Sequence, residues 1–75
     1  HPNPASSVLN VEIEKYFNNG HIRLIDMQGR TVYEQDLEEG MMYITLPVDN
    51  LPMGMYQLVS NLDGQLLTEK VMIRK

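Results

Sequence analysis

Apolar and polar residues alternate along most of this chain, and that alternation is what most constrains its fold. The clearest segment covers residues 8–14, in which Leu9, Val11 and Ile13 alternate with polar side chains. Successive side chains of a β-strand point to opposite faces, so the pattern predicts a strand with one buried face. No stretch of ten or more residues has its apolar side chains at helical spacing. We therefore expect a chain built from strands.

Turn residues separate the alternating segments. Asp26 and Gly29 suit the first and fourth positions of a tight turn, which predicts a hairpin there. Asn19 and Gly20 form a pair that accepts positive φ and predicts another turn. Pro47 has no amide hydrogen, so it should end a strand or lie at a sheet edge. The predicted strands cover residues 8–14, 21–26, 30–35, 41–46, 56–60 and 65–73, with a turn at residues 61–64 joining the last two.

Short strands with turn signals about every 8–12 residues are typical of a sandwich. We therefore predict an all-β fold, a small antiparallel immunoglobulin-like or fibronectin III-like β-sandwich of about seven strands. The 75 residues suffice for one such domain. So short a chain buries about 60% of its unfolded surface. Because it contains no cysteine, no disulfide adds to its stability.

Residues 51–58 have the composition of a sharp corner followed by a strand. Pro52 fixes φ at about −65° and Gly54 accepts a positive φ, which together favour a tight turn. Tyr56 then opens an alternating segment with Tyr56 and Leu58 on one face. A tyrosine in this position is typical of the tyrosine corner of Greek-key sandwiches. In that motif the ring is buried and the hydroxyl hydrogen-bonds the backbone across the turn.

The beginning of the chain suggests a piece of a longer protein. It begins with His1 rather than methionine. Prolines in residues 1–7 favour extended or turn geometry, so we expect this segment to be the end of a linker and residues 8–75 to be the sandwich domain. No apolar run approaches the length of about 20 residues that spans a bilayer. We therefore expect a domain that does not span a membrane.

The charge of the chain is unevenly distributed. The formal net charge of −4 argues against nucleic acid as a partner, because nucleic-acid binding needs a basic face. Residues 1–68 contain three basic and nine acidic side chains, whereas residues 69–75 contain three basic and one acidic. The result is an acidic body with a basic C-terminal segment, which fits a solvated chain end or a functional one equally well.

The sequence offers little for catalysis. His21 would have to act with Ser6, Ser7 or Ser60, and none of these serines lies in a nucleophile motif. There is also no glycine-rich loop that could hold a phosphate group. We therefore predict that the domain is not an enzyme and that it needs no cofactor.

Two other residue groups could bind ligands. Asp36, Glu38 and Glu39 form an acidic group, but it lacks the spacing of a calcium-binding loop, so a solvated turn is favoured and no metal is predicted. The six methionines could line an adaptable groove. Most of them fall at predicted strand or turn positions, where methionine fills a small and irregular core. We favour that packing role.

The order of several short motifs resembles one known family. Pro-Asn-Pro-Ala occupies residues 2–5, ahead of the first alternating strand. Ile-Asp-Met-Gln-Gly-Arg follows at residues 25–30, and Leu-Pro-Met-Gly-Met-Tyr at residues 51–56. The chain ends in Lys-Val-Met-Ile-Arg-Lys at residues 70–75. Together these motifs are similar to the C-terminal sorting domain of the type IX secretion system of Bacteroidetes, over essentially all of the chain.

This resemblance implies a cargo label. Proteins with such a domain cross the inner membrane by general export, and the secretion machinery then recognises the folded domain in the periplasm and directs passage across the outer membrane. A sortase-like cysteine peptidase commonly removes the domain. The cargo is then released outside the cell or attached to lipopolysaccharide at the outer-membrane surface. The family fold is a seven-stranded immunoglobulin-like sandwich.

Position by position, the resemblance assigns three motifs to this chain. They are a sorting motif at Leu51, Pro52, Gly54 and Tyr56, a terminal basic motif at Lys70, Arg74 and Lys75, and a domain-start motif at Pro2, Asn3 and Pro4. His1 stands where the family often has an aromatic or aliphatic residue. A terminal strand with a charged end could present its edge and its side chains to a receptor, by strand addition or by salt bridges.

Two other functions fit the same fold, because sandwiches carry many activities. One is a fibronectin-like or carbohydrate-binding accessory module of a secreted hydrolase, and the other is a structural spacer. Sugar-binding modules usually expose a platform of aromatic side chains, and this chain has one phenylalanine, Phe17, four tyrosines and no tryptophan. Uncovered edge strands in so small a sandwich could also pair between two copies to give an edge-strand dimer, which the sequence leaves open.

Overall fold

The computed structural model describes residues 7–74. These residues form six β-strands and no helix. The strands are β1 (Val8–Glu12), β2 (Gly20–Ile25), β3 (Thr31–Leu37), β4 (Tyr43–Pro47), β5 (Gly54–Leu62) and β6 (Gln65–Ile73). The all-β prediction is confirmed, with six strands in this range rather than about seven. Each alternating segment forms one strand, and no further segment of residues 7–74 joins a sheet.

The strands form two antiparallel sheets that pack as a sandwich. The larger sheet has the order β3-β2-β5-β6, and the smaller one pairs β1 with β4. Leu9 of β1 lies opposite Leu46 of β4, and Leu24 of β2 lies opposite Leu58 of β5. Residues directly opposite each other share one face of a sheet, so each of these buried leucine pairs faces the core between the two sheets.

Apolar side chains from both sheets and from the connections fill a single core. Its most enclosed members are Leu9, Phe17, Ile22, Leu24, Leu46, Val48, Leu62, Val71 and Ile73. Burying an aliphatic or aromatic side chain of this size contributes about 1.5–3 kcal/mol relative to leaving it exposed. Within residues 7–74 no helix is long and apolar enough to cross a bilayer.

Both predicted hairpins are present. The Gly29 amide donates a 3.0 Å hydrogen bond to the Asp26 carbonyl oxygen, and Gly29 has a φ of +86°. The turn between β5 and β6 consists of Asp63 and Gly64, with φ of +53° and +89°. Two central residues of positive φ give the turn a twist that matches the twist of the flanking strands.

The connection into β2 differs from the predicted turn. Neither Asn19 nor Gly20 has a positive φ. Gly20 is required by packing instead, because a Cβ atom there would lie 2.6 Å from Cε2 of the buried Phe17. The amides of Asn18 and Asn19 donate hydrogen bonds of 2.8–3.1 Å to the carboxylate of Asp63. A contact with a distant hairpin therefore replaces the local turn.

The methionines do not fill the core as expected. All six lie in the described part of the chain, and none of them is buried. The exposed ones are Met27 at 77%, Met42 at 73% and Met53 at 65%, and the half-buried ones are Met41, Met55 and Met72. The alternation puts Met42 on one face with Ile44 and Leu46, which are buried, but Met42 is exposed because β4 begins one residue later, and Met41 packs against the core instead.

Candidate functional site

The predicted corner between β4 and β5 is present. Tyr56 is buried, and its hydroxyl donates a 2.6 Å hydrogen bond to the carbonyl oxygen of Pro52. Leu51 packs against the core, and its amide donates a 3.1 Å hydrogen bond to the carbonyl oxygen of Val48. The tyrosine thereby connects the core to the turn, as in a tyrosine corner.

Gly54 is the first residue of β5 and has a φ of +147°. The predicted positive φ is confirmed, although the glycine opens the strand rather than closing the turn. A Cβ atom built on Gly54 would meet no atom within 4 Å. The requirement for glycine therefore comes from the backbone conformation and not from lack of space.

The pairing of β5 with β6 brings the corner next to the basic C-terminal segment. Gly54 lies opposite Ile73, and Gln57 lies opposite Lys70. Ile73 is buried in the core, so Lys70, three residues earlier in the strand, lies on the outer face of the sheet. Arg74 follows Ile73 directly and is exposed. The sorting motif and the described part of the terminal basic motif therefore lie side by side.

The turn between β2 and β3 completes this region. Met27 and Arg30 line a shallow groove together with Pro52 and Met53 of the corner. A neighbouring groove of about 420 Å³ lies against the outer face of the larger sheet, and its lining includes Ile25, Met27, Met55 and Lys70. We call this region the corner end. It comprises the turn at residues 26–30, the corner at residues 51–56 and the end of β6 at residues 70–74.

The beginning of the described chain also lies near the corner. The carbonyl oxygen of Ser7 accepts a 3.0 Å hydrogen bond from the amide of Val48, and Val8 lies opposite Pro47. The chain therefore enters the sandwich close to the connection that leads to Pro52. Four residues of the assigned motifs lie outside the described range, namely Pro2, Asn3, Pro4 and Lys75.

The residues considered for catalysis are not brought together. His21 lies opposite Asn61 on the outer face of the larger sheet, whereas Ser60 is buried on its inner face. Ser7 is exposed ahead of β1, and Ser6 lies outside the described residues. Since His21 and Ser60 face opposite sides of the sheet, they cannot act as a base and nucleophile pair.

His21 instead lies between two carboxylates of β3. Its Nδ1 is 2.7 Å from Oδ1 of Asp36, and its Nε2 is 2.9 Å from Oε1 of Glu34. The contact with Asp36, and after it the contact with Glu34, raises the pKa of His21 above its ordinary value. The side chain of His21 is 37% exposed, so this is an ion cluster on the surface of the sheet.

The acidic residues considered for calcium do not converge on one point. Within residues 7–74, no group of three or more histidine, aspartate or glutamate side chains is arranged to hold a metal ion. Asp36 contacts His21, and Glu39 accepts a hydrogen bond from the hydroxyl of Tyr16, which raises the pKa of that tyrosine. The third of these acids, Glu38, is exposed.

Two aspartates hold turns through backbone amides. Asp26 accepts a hydrogen bond from the amide of Arg30, which is the main cause of its lowered pKa, and its Oδ2 lies 2.9 Å from Nε of Arg30. The amides of Asn19 and then of Asn18 lower the pKa of Asp63 in the same way. Both carboxylates therefore stabilise these turns in their ionised form.

Few aromatic side chains are available for stacking on a sugar. Phe17 and Tyr56 are buried, and Tyr33 is half-buried against the core. Tyr16 and Tyr43 are exposed. The described residues include every phenylalanine and tyrosine of the chain, so these two tyrosines are its only exposed aromatic side chains.

Comparison with known proteins identifies the family. None of the curated proteins compared with this chain matches it. One family model, described as the secretion system C-terminal sorting domain, matches residues 1–74. The match covers the domain-start motif, the sorting motif and all but the last residue of the terminal basic motif. Because it spans 74 of the 75 residues, this chain belongs to the family of type IX secretion C-terminal sorting domains, a family of sorting signals and not of enzymes.

Proposed function

We propose that this domain is the export label of a larger cargo protein and that the type IX machinery reads it at the corner end. One observation carries the proposal. Gly54 of the sorting motif lies opposite Ile73 in β6, so Lys70 and Arg74 lie beside the corner. Two motifs that are separate in the sequence thus form one surface, which a single receptor could contact.

The basic side chains suggest how that contact is made. Lysine and arginine form charge-assisted hydrogen bonds with carboxylates, which are about twice as strong as neutral ones. Salt bridges to an acidic receptor surface are therefore one mode of recognition. The second mode is strand addition, because β6 is an edge strand of the larger sheet and an extended segment of the receptor could pair with it.

Recognition of this kind needs a folded corner. The Tyr56 ring is buried and its hydroxyl is bonded to Pro52, so the position of the corner depends on the core. A receptor that contacts both the corner and β6 would therefore distinguish a folded domain from an unfolded chain. This supports a label that is read in the periplasm after the domain has folded.

We infer the later steps of export from the family pattern. The cargo crosses the outer membrane, a sortase-like cysteine peptidase removes the domain, and the cargo remains at the outer-membrane surface or leaves the cell. A cut before Val8 would leave all six strands intact, so the removed domain would stay folded. Mass spectrometry of a secreted fusion would locate the cut, and a fusion that leaves the cell at full length would contradict this step.

Two further expectations concern partners. β3 and β6 form the edges of the larger sheet, and pairing of an edge between two copies would give a dimer that size-exclusion chromatography at rising concentration detects. The fibronectin-like or carbohydrate-binding alternative gains no specific support, because Tyr16 and Tyr43 are the only exposed aromatic side chains of the described residues.

Charge reversal tests the receptor contact. We expect a fusion of an exported fluorescent reporter with residues 1–75 to lose secretion when Lys70, Arg74 and Lys75 are replaced by glutamate. Lys15→Glu is the matched control, because Lys15 lies at the other end of the sandwich beside Gln65. Thermal unfolding of each purified domain shows whether it is folded. Normal secretion of a folded triple variant would refute the contact.

A further inference from the structure

We infer that the methionine groove of the corner end binds an apolar side chain that the secretion partner presents within an acidic segment. The methionine groove is the 420 Å³ groove lined by Ile25, Met27, Met55 and Lys70. This inference rests on the proposed sorting function and adds the chemistry of the contact.

The exposure of the methionines is the first step of the argument. Met27 is 77% exposed and lines the methionine groove together with the half-buried Met55. Met53 is 65% exposed and lines the adjoining shallow groove with both of them. Exposed apolar side chains are common singly, whereas a group of them in one place marks a contact surface. Methionine side chains are flexible and polarizable, so they adapt to an inserted side chain better than branched residues do.

The shape of the groove limits what can enter. Ile25 and Met55 lie on the outer face of the larger sheet, and Met27 from the β2–β3 turn forms a wall beside them. A volume of about 420 Å³ lies within the range of about 300–1,000 Å³ that is usual for ligand sites, and it can hold a large apolar side chain.

The charge around the groove indicates which residues flank the apolar side chain in the bound segment. Lys70 lines the groove, and Arg74 follows the end of β6 nearby. The one acid in the lining, Asp26, is held by Arg30 through a 2.9 Å contact and by its turn amides. The corner end as a whole carries three basic side chains, Arg30, Lys70 and Arg74, and one acidic side chain, Asp26, on a domain whose net charge is −4. This excess of basic side chains complements a segment that carries aspartate or glutamate.

A protein segment fits these features better than a lipid surface. Membrane-binding surfaces of soluble domains insert protruding apolar side chains and carry several basic residues. The methionine groove is concave and is lined by Lys70, and the exposed Arg74 follows the end of the same strand. An apolar side chain with flanking carboxylates would fill the groove and meet both charges.

Substitutions at Met27 test the groove in the reporter fusion. We expect Met27→Leu to be secreted like the wild type, because it stays apolar. Met27→Glu places a negative charge in the groove and should reduce secretion at least about tenfold, the effect of losing about 1.4 kcal/mol of binding. Met27→Lys should fall between the two, since it removes the apolar contact but attracts the acidic segment. Met42→Glu is the matched control, because Met42 is 73% exposed and lies next to Ile13, away from the corner end.

The outcomes separate this inference from the function on which it rests. If the wild-type fusion is secreted through the machinery and Met27→Glu is secreted equally well, the groove is not a contact and the sorting function stands. Equal losses of secretion in Met27→Glu and Met27→Lys would refute the inference that the bound segment is acidic. A wild-type fusion that is not secreted would refute the sorting function itself.

A binding measurement tests the ligand chemistry without secretion. The domain is labelled with ¹³C at its methionine methyl groups, and one of two synthetic peptides is added. Both peptides have a central leucine, which is flanked by aspartates in the acidic peptide and by lysines in the basic one. We expect the acidic peptide to shift the methyl resonances of Met27 and Met55 and to leave that of Met42 unchanged. Vesicles of anionic lipid are added in a separate titration. Equal shifts from both peptides would overturn the inference, and so would shifts that only the vesicles induce.

Discussion

The hydroxyl of Tyr56 donates a 2.6 Å hydrogen bond to the carbonyl oxygen of Pro52, across the corner between β4 and β5. The ring of Tyr56 is buried at the same time. One side chain therefore contributes both to the core and to the geometry of the turn that precedes its own strand. Because β5 pairs with β6, the corner also determines which residues lie beside the basic C-terminal segment.

Removal of that hydroxyl should destabilise the domain without changing the core. Tyr56→Phe keeps the buried ring and loses one hydrogen bond, which we expect to cost about 1 kcal/mol of unfolding free energy. Urea unfolding of the purified domain measures it. Tyr43→Phe is the control, since Tyr43 is 55% exposed. Equal stabilities of the two variants would show that the corner hydrogen bond contributes nothing.

Gly54→Val should destabilise the domain through the backbone. Its φ of +147° is unfavourable for a β-branched residue, and we expect a cost of about 1–3 kcal/mol. No atom lies within 4 Å of a Cβ built at Gly54, so trimming a neighbouring side chain should recover nothing. An unchanged unfolding temperature would mean that position 54 does not have this conformation in solution.

Gly20→Ala should destabilise the domain for a different reason. The added Cβ atom would lie 2.6 Å from the ring of Phe17 and 3.1 Å from the Cβ atom of Leu37. Overpacking of this kind costs about 1–3 kcal/mol. The double variant with Phe17→Leu should lose less than the sum of the two single losses, because the second substitution removes the ring that the alanine meets. If the double variant loses the sum of the two single effects, the two positions are not in contact.

The His21 cluster should make stability depend on pH. Asp36 and Glu34 raise the pKa of His21 above its ordinary value of 6.5. A group whose pKa is higher in the folded state than in the unfolded state stabilises the fold fully at pH values below the unfolded pKa. This stabilisation is lost as the pH rises through the folded pKa. We expect a loss of roughly 0.2–1 kcal/mol as the pH rises above the ordinary His21 pKa and through the raised one, because the cluster is exposed and screened by solvent. His21→Asn should abolish this dependence, and a variant that retains it would contradict the assignment.

The fold could be predicted largely because alternation and turn chemistry are local signals. The turn at Asp26 and Gly29 depends on residues within it, and the tyrosine corner is closed by a hydrogen bond between residues only four positions apart. The last strand covers residues 65–73, as the alternation predicts, although Leu67 is 43% exposed on the same face as the buried Val71 and Ile73. A predicted face alone does not determine whether another sheet covers it.

The errors arise where a distant residue decides the local conformation. Asn19 and Gly20 have the composition of a turn, but Asp63 supplies the acceptor for the Asn19 amide, and Phe17 occupies the space that a side chain at position 20 would need. Nothing in the local sequence indicates either contact. The pairing of β2 with β5 is what brings these distant residues together.

The corner end could be predicted only in part. The resemblance assigns roles to Pro52, Gly54 and Tyr56, but it does not indicate that the β2–β3 turn lies beside them. Methionine occurs both in irregular cores and on adaptable surfaces, so its spacing in a strand does not separate the two. The structure shows that Met27 lies on the surface, because its side chain is 77% exposed.

Secretion of a reporter is the most direct test of the central claim. Residues 1–75 are fused behind an exported fluorescent reporter in a Bacteroidetes host, with the type IX machinery intact or disabled, and the fraction of reporter outside the cell is measured. We predict reporter at the surface or in the medium only when the machinery is intact. Reporter that stays in the periplasm of both strains, with the domain folded, would contradict the assignment of this chain as a sorting signal.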